Sequence, residues 1–141
     1  AGHSDGWVSG LGDDMMLEIK SIGVGTLRFE APGLLMSSNN DFEKAWKLIK
    51  EPFDKHVKQV QLYMKLAEYL YPENYPKEAV LIYEAKPNQE VKEFVVAKSD
   101  EQILPLLEAA EAIVKAVEAK EPPVCNIGGS WNCDRCRDYG N

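Results

Sequence analysis

The order of strand-like and helix-like segments limits the fold of this chain more than any other feature. Residues 2–12 and Met15–Ile22 predict a hairpin of two short apolar strands. A stretch with helical spacing of apolar residues follows at 55–70, and two further strands are predicted at 79–85 and 93–98. Strands, then helices, then strands again predict an α/β domain in which helices flank a small mixed sheet.

The remaining segments connect these elements. The tract 23–40 contains three glycines, one proline and a Ser-Ser-Asn-Asn sequence, which predicts a loop with one short strand at 26–30. Asp41 predicts the start of a short helix over 42–50, because an aspartate there accepts free amide hydrogens of the first turn. A long helix is predicted from about residue 100 to 120.

Length and charge narrow the class of protein. A chain of 141 residues is sufficient for one domain, and we expect that domain over 1–121 with a tail over 122–141. No apolar run approaches the ~20 residues of a membrane span, and no signal peptide opens the chain, so we expect no membrane partner and a cytoplasmic location. The net charge of −7 argues against unspecific nucleic-acid binding over the whole surface, but not against acids that hold metal ions.

Two carboxylates and a lysine are predicted to meet in the N-terminal hairpin. Glu18 and Lys20 are two residues apart on one strand and therefore point to the same face. If Asp5 lies opposite on the neighbouring strand, the two carboxylates repel unless a cation neutralises them. A hard divalent ion such as Mg²⁺ accepts one or two carboxylates, and the Ile19 carbonyl between them is a further ligand.

Two short motifs carry a resemblance to a known family. The sequence Gly2-His3-Ser4-Asp5-Gly6, followed by Glu18-Ile19-Lys20, resembles the PD-(D/E)XK nuclease superfamily. Gln59 and Tyr63 form a Gln-x-x-x-Tyr motif on the predicted helix, which is similar to the RecB-type branch with its many phage exonucleases. The family carries a helix before the aspartate strand, whereas this sequence begins one residue before Gly2.

The resemblance implies a restriction-endonuclease-like core and a metal-dependent DNA nuclease, typically an exonuclease, acting in phage or bacterial DNA recombination, repair or degradation. It implies Mg²⁺ or Mn²⁺ as cofactor and DNA as partner, and it leaves a homo-oligomer open. Asp5, Glu18 and Lys20 would be the catalytic residues, and Asp5, Glu18 and the Ile19 carbonyl would bind the metal. Gln59 and Tyr63 would contact the DNA backbone or support the metal site.

Two further residues are candidates for DNA contact. His56 precedes Gln59 by three residues and shares a helix face with it, although a half-buried structural histidine is the simpler interpretation. Lys86 is expected near a strand end, next to the predicted turn at 87–88, where it can approach a substrate. Glu84 and Lys86 also form a rival acid-x-Lys pair, but no aspartate strand of the required kind precedes them.

The tail suggests a second metal site. Cys125, Cys133 and Cys136 include a C-x-x-C pair that is compatible with Zn²⁺ or an iron–sulfur cluster, although the chain contains no fourth cysteine. A tail without a metal is the alternative.

For the whole chain, the alternative to an enzyme is a non-catalytic DNA- or protein-binding module built on a truncated nuclease fold. A regulatory domain without a nucleic-acid role is a third, weaker interpretation.

Overall fold

The computed structural model describes residues 3–10 and 12–121. Two strands come first, then four helices, two more strands and a last helix. In chain order the elements are β1 (Gly6–Val8), β2 (Met15–Ile22), α1 (Val24–Glu30), α2 (Pro32–Ser37), α3 (Phe42–Leu48), α4 (Asp54–Leu70), β3 (Glu78–Ala85), β4 (Val91–Ala97) and α5 (Asp100–Ala119). The predicted mixed α/β architecture with a small sheet flanked by helices is confirmed.

The four strands form one sheet in the order β1-β2-β3-β4. β1 and β2 are the predicted antiparallel hairpin, and β3 and β4 are a second one. β2 and β3 run parallel in the middle of the sheet. Because parallel neighbours require a crossover connection, the four helices between β2 and β3 make this link possible.

The core lies between one face of the sheet and α4. Along β3 every second residue is fully buried, which is the two-residue period of a strand with one covered face; these residues are Ala79, Leu81, Tyr83 and Ala85. α4 contributes Val60 and Met64, neither of which is exposed to solvent. Each such side chain contributes about 1.5–3 kcal/mol through burial, so α4 is held firmly against the sheet.

The tract between β2 and α3 differs from the sequence prediction. Instead of a loop with a short strand at 26–30, it forms α1 and α2. Leu27 and Leu35 point into the core and are almost fully buried, and Pro32 occupies the first turn of α2, where its missing amide hydrogen costs nothing. Burial of these two leucines therefore outweighs the weak helical propensity of a tract rich in glycine and serine.

Side-chain hydrogen bonds stabilise both ends of α3. The Asp41 carboxylate accepts the Lys44 amide hydrogen at 3.1 Å, which confirms its predicted role as the cap of α3. The far end of α3 is closed by Lys92 of β4, whose ammonium group donates to the carbonyls of Trp46 and Ile49 at 2.6 and 2.7 Å. Partial burial lowers the pKa of Lys92, and the two carbonyls replace the water that the ammonium group loses.

The described residues up to Leu106 belong to one compact unit, which contains the whole sheet. The rest of α5 belongs to a second unit that begins at Leu107. The predicted boundary at residue 121 stays a prediction. Within 3–10 and 12–121, no helix combines the length and the apolar character that crossing a bilayer requires.

Candidate functional site

The candidate site begins on the helix-facing side of β2. Glu18 and Lys20 alternate with the more exposed residues of the strand and lie on the same side as the buried Met16 and Ile22. The Lys20 ammonium group contacts Glu18 Oε1 at 2.5 Å. The predicted convergence of the carboxylate and the lysine on one face is thus present in the structure.

Asp5 directly precedes β1 and contacts β2 at the residue after Glu18. The two strands pair Gly6 with Leu17 and Trp7 with Met16, and this pairing ends at Gly6. Asp5 Oδ2 accepts the amide hydrogen of Ile19 at 2.7 Å, so the carboxylate is held against β2 where the backbone pairing of β1 ends.

The Ile19 carbonyl also lies on the Asp5 side of β2. In a strand, the N–H and C=O of one residue point toward the same neighbouring strand. Because the Ile19 N–H points to Asp5, its carbonyl oxygen points to the same edge of the sheet. The three groups that the sequence predicts as metal ligands therefore come from adjoining backbone positions.

Glu18 is buried, and only one of its two carboxylate oxygens has a partner. The residue is 3% exposed. Oε1 accepts from the ammonium group of Lys20 and from the Gln59 side chain at 2.9 Å, whereas Oε2 has no hydrogen-bond partner among the described residues. A buried carboxylate oxygen without a donor costs free energy, so Oε2 is the atom of the cluster that a further donor or a cation would stabilise.

Gln59 and Tyr63 join the cluster from α4. Gln59 Nε2 donates both to Glu18 Oε1 and, at 3.1 Å, to the Tyr63 hydroxyl. The spacing of four residues places the two side chains on one helix face, as the sequence predicts. Gln59 contacts the carboxylate directly and Tyr63 contacts Gln59, and the predicted roles in metal support and in DNA contact stay predictions.

The cluster offers a cation only oxygen ligands, which are the carboxylates of Asp5 and Glu18, the Ile19 carbonyl and water. In the described part of the chain, no three His, Cys, Asp or Glu side chains gather into a group that could hold a metal ion. Mg²⁺ differs from Zn²⁺ in this respect, because it commonly uses only one or two carboxylates and keeps several waters. The oxygen-only donor set and the free Oε2 of Glu18 fit Mg²⁺ or Mn²⁺.

His56 lies next to this cluster but faces the core. Its side chain is 8% exposed, and Nδ1 lies 2.6 Å from the Tyr83 hydroxyl. That hydroxyl also accepts the Phe53 amide hydrogen at 2.8 Å, and the donor in its hydrogen bond with His56 Nδ1 depends on the tautomer of the ring. Burial, and then the positive charge of Lys20, lowers the pKa of His56, which favours the neutral ring. The structure thus gives His56 a packing role, and its contact with DNA stays a prediction.

Lys86 lies away from the cluster. It directly follows β3, its side chain is exposed, and its amide donates to the Ile22 carbonyl at 2.9 Å. Ile22 is four residues beyond Glu18, or roughly 13 Å along the strand. The structure does not bring Lys86 to Glu18, and its contact with DNA stays a prediction. Cys125, Cys133 and Cys136 lie outside the described residues.

An aromatic pair beside the cluster was not predicted from the sequence. Trp7 is two residues from Asp5 and lies opposite Met16, and its ring meets that of Tyr71 edge to face at 6.0 Å. Strand alternation places Trp7 on the same face as Asp5, and this was the available signal. The partner ring follows the end of α4, more than sixty residues later, so spacing alone could not indicate the pair.

No protein-family model matches this chain, and no curated protein or solved structure matches it either. An interpretation of the site therefore depends on the chemistry of its own residues.

Proposed function

We propose that this protein is a metal-dependent nuclease that hydrolyses phosphodiester bonds of DNA, with a restriction-endonuclease-like core of the RecB type. The observation that carries the proposal is the buried Glu18 carboxylate, which has one oxygen without a partner among the described residues and adjoins Ile19, whose amide donates to Asp5. A structural ion pair gains no stability from a buried carboxylate oxygen that has no donor.

The topology supports this proposal. Glu18 lies on β2, Asp5 directly precedes β1, and β2 runs parallel to β3. Gln59 of α4 donates to Glu18 and to the Tyr63 hydroxyl. The two sequence motifs, Asp5 with Glu18-Ile19-Lys20 and Gln-x-x-x-Tyr, thus adjoin each other through the contact between Gln59 and Glu18.

Asp5, Glu18 and the Ile19 carbonyl would hold the cation. A bound Mg²⁺ or Mn²⁺ would supply an activated water and charge neutralisation at the scissile phosphate. Lys20 contributes a fixed positive charge, which stabilises the negative charge that builds up on the phosphoryl oxygens in the transition state. Gln59 orients the Glu18 carboxylate through Oε1 and so leaves Oε2 for the ligand.

Removing the charge of Lys20 tests the proposal. We expect Lys20→Ala to reduce cleavage of linear DNA in Mn²⁺ or Mg²⁺ by at least about 100-fold, which is the usual loss when one electrostatic donor is removed from an active site. The rate is measured by gel or fluorescence at a temperature well below the unfolding midpoint of the variant. Circular dichroism at that temperature verifies that it is folded.

Lys58→Ala is the matched control, because Lys58 lies on the outer surface of α4 in an exposed ion pair with Asp54. The control should cleave at the wild-type rate, since exposed ion pairs contribute little. Wild-type cleavage by Lys20→Ala, or cleavage by the wild type that continues unchanged in EDTA, would refute the assignment.

A non-catalytic DNA-binding module is the second candidate. The observation in its favour is that Glu18 Oε1 already has two donors, Lys20 and Gln59, as in a structural network. In that case the purified protein binds linear DNA at low salt but leaves it intact in Mn²⁺, and Lys20→Ala does not change the affinity.

A further inference from the structure

The aromatic pair formed by Trp7 and Tyr71 borders a cavity of about 450 Å³ that is open to solvent. Pro72, Glu73 and Asn74 complete its lining. A cavity of this size is in the range of small-molecule and cofactor sites. Both rings are unusually accessible for large aromatic side chains, since Trp7 is 40% and Tyr71 57% exposed.

The two rings are held in a defined geometry. Their planes are inclined at 81°, and the indole N–H of Trp7 donates to Asp14 Oδ2 at 3.0 Å. A flat ligand that stacks on the face of one ring therefore meets the other ring edge-on, which is a favourable arrangement for aromatic groups. The hydrogen bond to Asp14 fixes the indole before any ligand arrives.

The position of the pair links it to the proposed cleavage site. Trp7 and Asp5 are two residues apart on the same face of the hairpin, which is roughly 7 Å along the strand. The charge around the cavity indicates which part of a nucleotide it accepts. Asp14 and Glu73 are acidic and repel a phosphate, whereas an uncharged base has a π-face for stacking and polar edges for Glu73 and Asn74.

We propose that Trp7 and Tyr71 form a stacking platform for one nucleobase of the substrate strand, one step away from the bond that is cleaved. The inference rests on the proposed nuclease function, which identifies the ligand as a nucleic acid. The platform holds the base, and a cation bound by the acidic cluster would hold the phosphate, so the strand is bound by two chemically different contacts.

The test measures binding without cleavage. A dye-labelled single-stranded oligonucleotide of about 12 nucleotides is titrated with the full chain in EDTA at low salt, and fluorescence anisotropy gives the Kd. We expect Trp7→Ala and Tyr71→Ala to weaken binding roughly fivefold to a hundredfold. Trp7→Phe and Tyr71→Phe, which keep a ring for stacking, should retain most of the affinity.

Tyr69→Ala is the matched control, because Tyr69 is an exposed tyrosine of the same helix end that does not line the cavity. It should bind like the wild type. A second oligonucleotide with abasic sites in place of its bases should bind the wild type and Trp7→Ala equally weakly, since neither complex has a base to stack.

Equal affinity of Trp7→Ala, Tyr71→Ala and the wild type for the normal oligonucleotide would overturn the platform, as would the absence of any binding. A loss of affinity that is the same for normal and abasic strands would also overturn it, because the variants would then act through charge or folding. These results are independent of cleavage. A platform that passes while the wild type leaves linear DNA intact in Mn²⁺ or Mg²⁺ would refute the nuclease assignment and leave a base-binding protein.

Discussion

Replacing Glu18 and Lys20 together by apolar residues should make the metal-free protein more stable. In the ion pair, the Glu18 side chain is 4% exposed and that of Lys20 is 23% exposed, so both groups have lost most of their hydration. The free oxygen Oε2 of Glu18 has no compensation at all among the described residues. The double variant Glu18→Leu with Lys20→Met keeps the approximate volume and removes these costs.

The magnitude follows from the burial of the pair. Exchanging a buried ion pair for apolar groups of similar size typically stabilises a protein by about 1–4 kcal/mol. An unsatisfied buried polar atom alone costs about 1–3 kcal/mol. Because Lys20 keeps some contact with water, we expect a gain in the lower half of that range, about 1–2 kcal/mol.

The single variants should behave differently. Lys20→Met leaves the buried Glu18 carboxylate without its cation and should lower the free energy of unfolding by up to about 3–5 kcal/mol. Glu18→Leu should cost less, because the long side chain of Lys20 can extend its ammonium group into water. The expected order of stability is therefore the double variant, the wild type, Glu18→Leu and last Lys20→Met.

Urea unfolding in EDTA, followed by circular dichroism, measures all four proteins. Each kcal/mol corresponds to a shift of the thermal midpoint of roughly 2–8 °C, which scanning calorimetry resolves. Mg²⁺ at a hundredfold excess over its Kd should stabilise the wild type by about 2.7 kcal/mol and leave the double variant unchanged. A double variant that is less stable than the wild type in EDTA would refute the claim that the site is kept at the expense of stability.

Three further predictions concern the groups around the site. The side chain of Gln61, which is 1% exposed, accepts from the Ser99 amide and donates to the Ala97 carbonyl. Gln61→Leu should therefore lower the free energy of unfolding in urea by about 1–3 kcal/mol. An unchanged unfolding midpoint would contradict this role. Burial lowers the pKa of His56, so the folded state favours the neutral ring. The free energy of unfolding should therefore be at its full value above about pH 6.5, the ordinary pKa of histidine, and fall as the pH drops through the lower folded pKa. This fall should be smaller in His56→Gln. Hydrogen bonds from two lysines lower the pKa of Glu68 to about 2. Its contribution to the stability of the fold should therefore persist above about pH 4.5 and disappear toward pH 2. Measuring the unfolding midpoint of the wild type and of Glu68→Gln as a function of pH tests this.

The sheet could be predicted because its signals are local. β2 has the bounds Met15–Ile22 that its apolar residues predict, and the two hairpins follow from short turns between apolar segments. The helices α1 and α2 were missed, because their formation depends on burying Leu27 and Leu35 under distant elements. Short helices gain most of their stability from such packing rather than from their own sequence.

The candidate site could be predicted only where its residues share one hairpin or one helix. The approach of Asp5 to the Glu18-Ile19 stretch of β2 follows from the predicted hairpin, and the contact of Gln59 with Tyr63 follows from helical spacing. The burial of His56 could not be predicted, since it depends on the Tyr83 hydroxyl, which lies 27 residues further along the chain. Such contacts exist only once α4 packs on the sheet.

The shortness of β1 has a consequence for association between molecules. β1 pairs with β2 only as far as Leu17, so the outer edge of β2 continues beyond its neighbour among the described strands. An uncovered strand edge is a template for adding a foreign strand. The Asp5 carboxylate accepts the amide hydrogen of Ile19, which is the first amide of that edge without a partner strand. The bound carboxylate places a negative charge at the edge, and this disfavours the addition of a strand. Neutralising Asp5 should therefore expose the protein to edge-to-edge aggregation, independently of the role proposed for Asp5 in binding a cation.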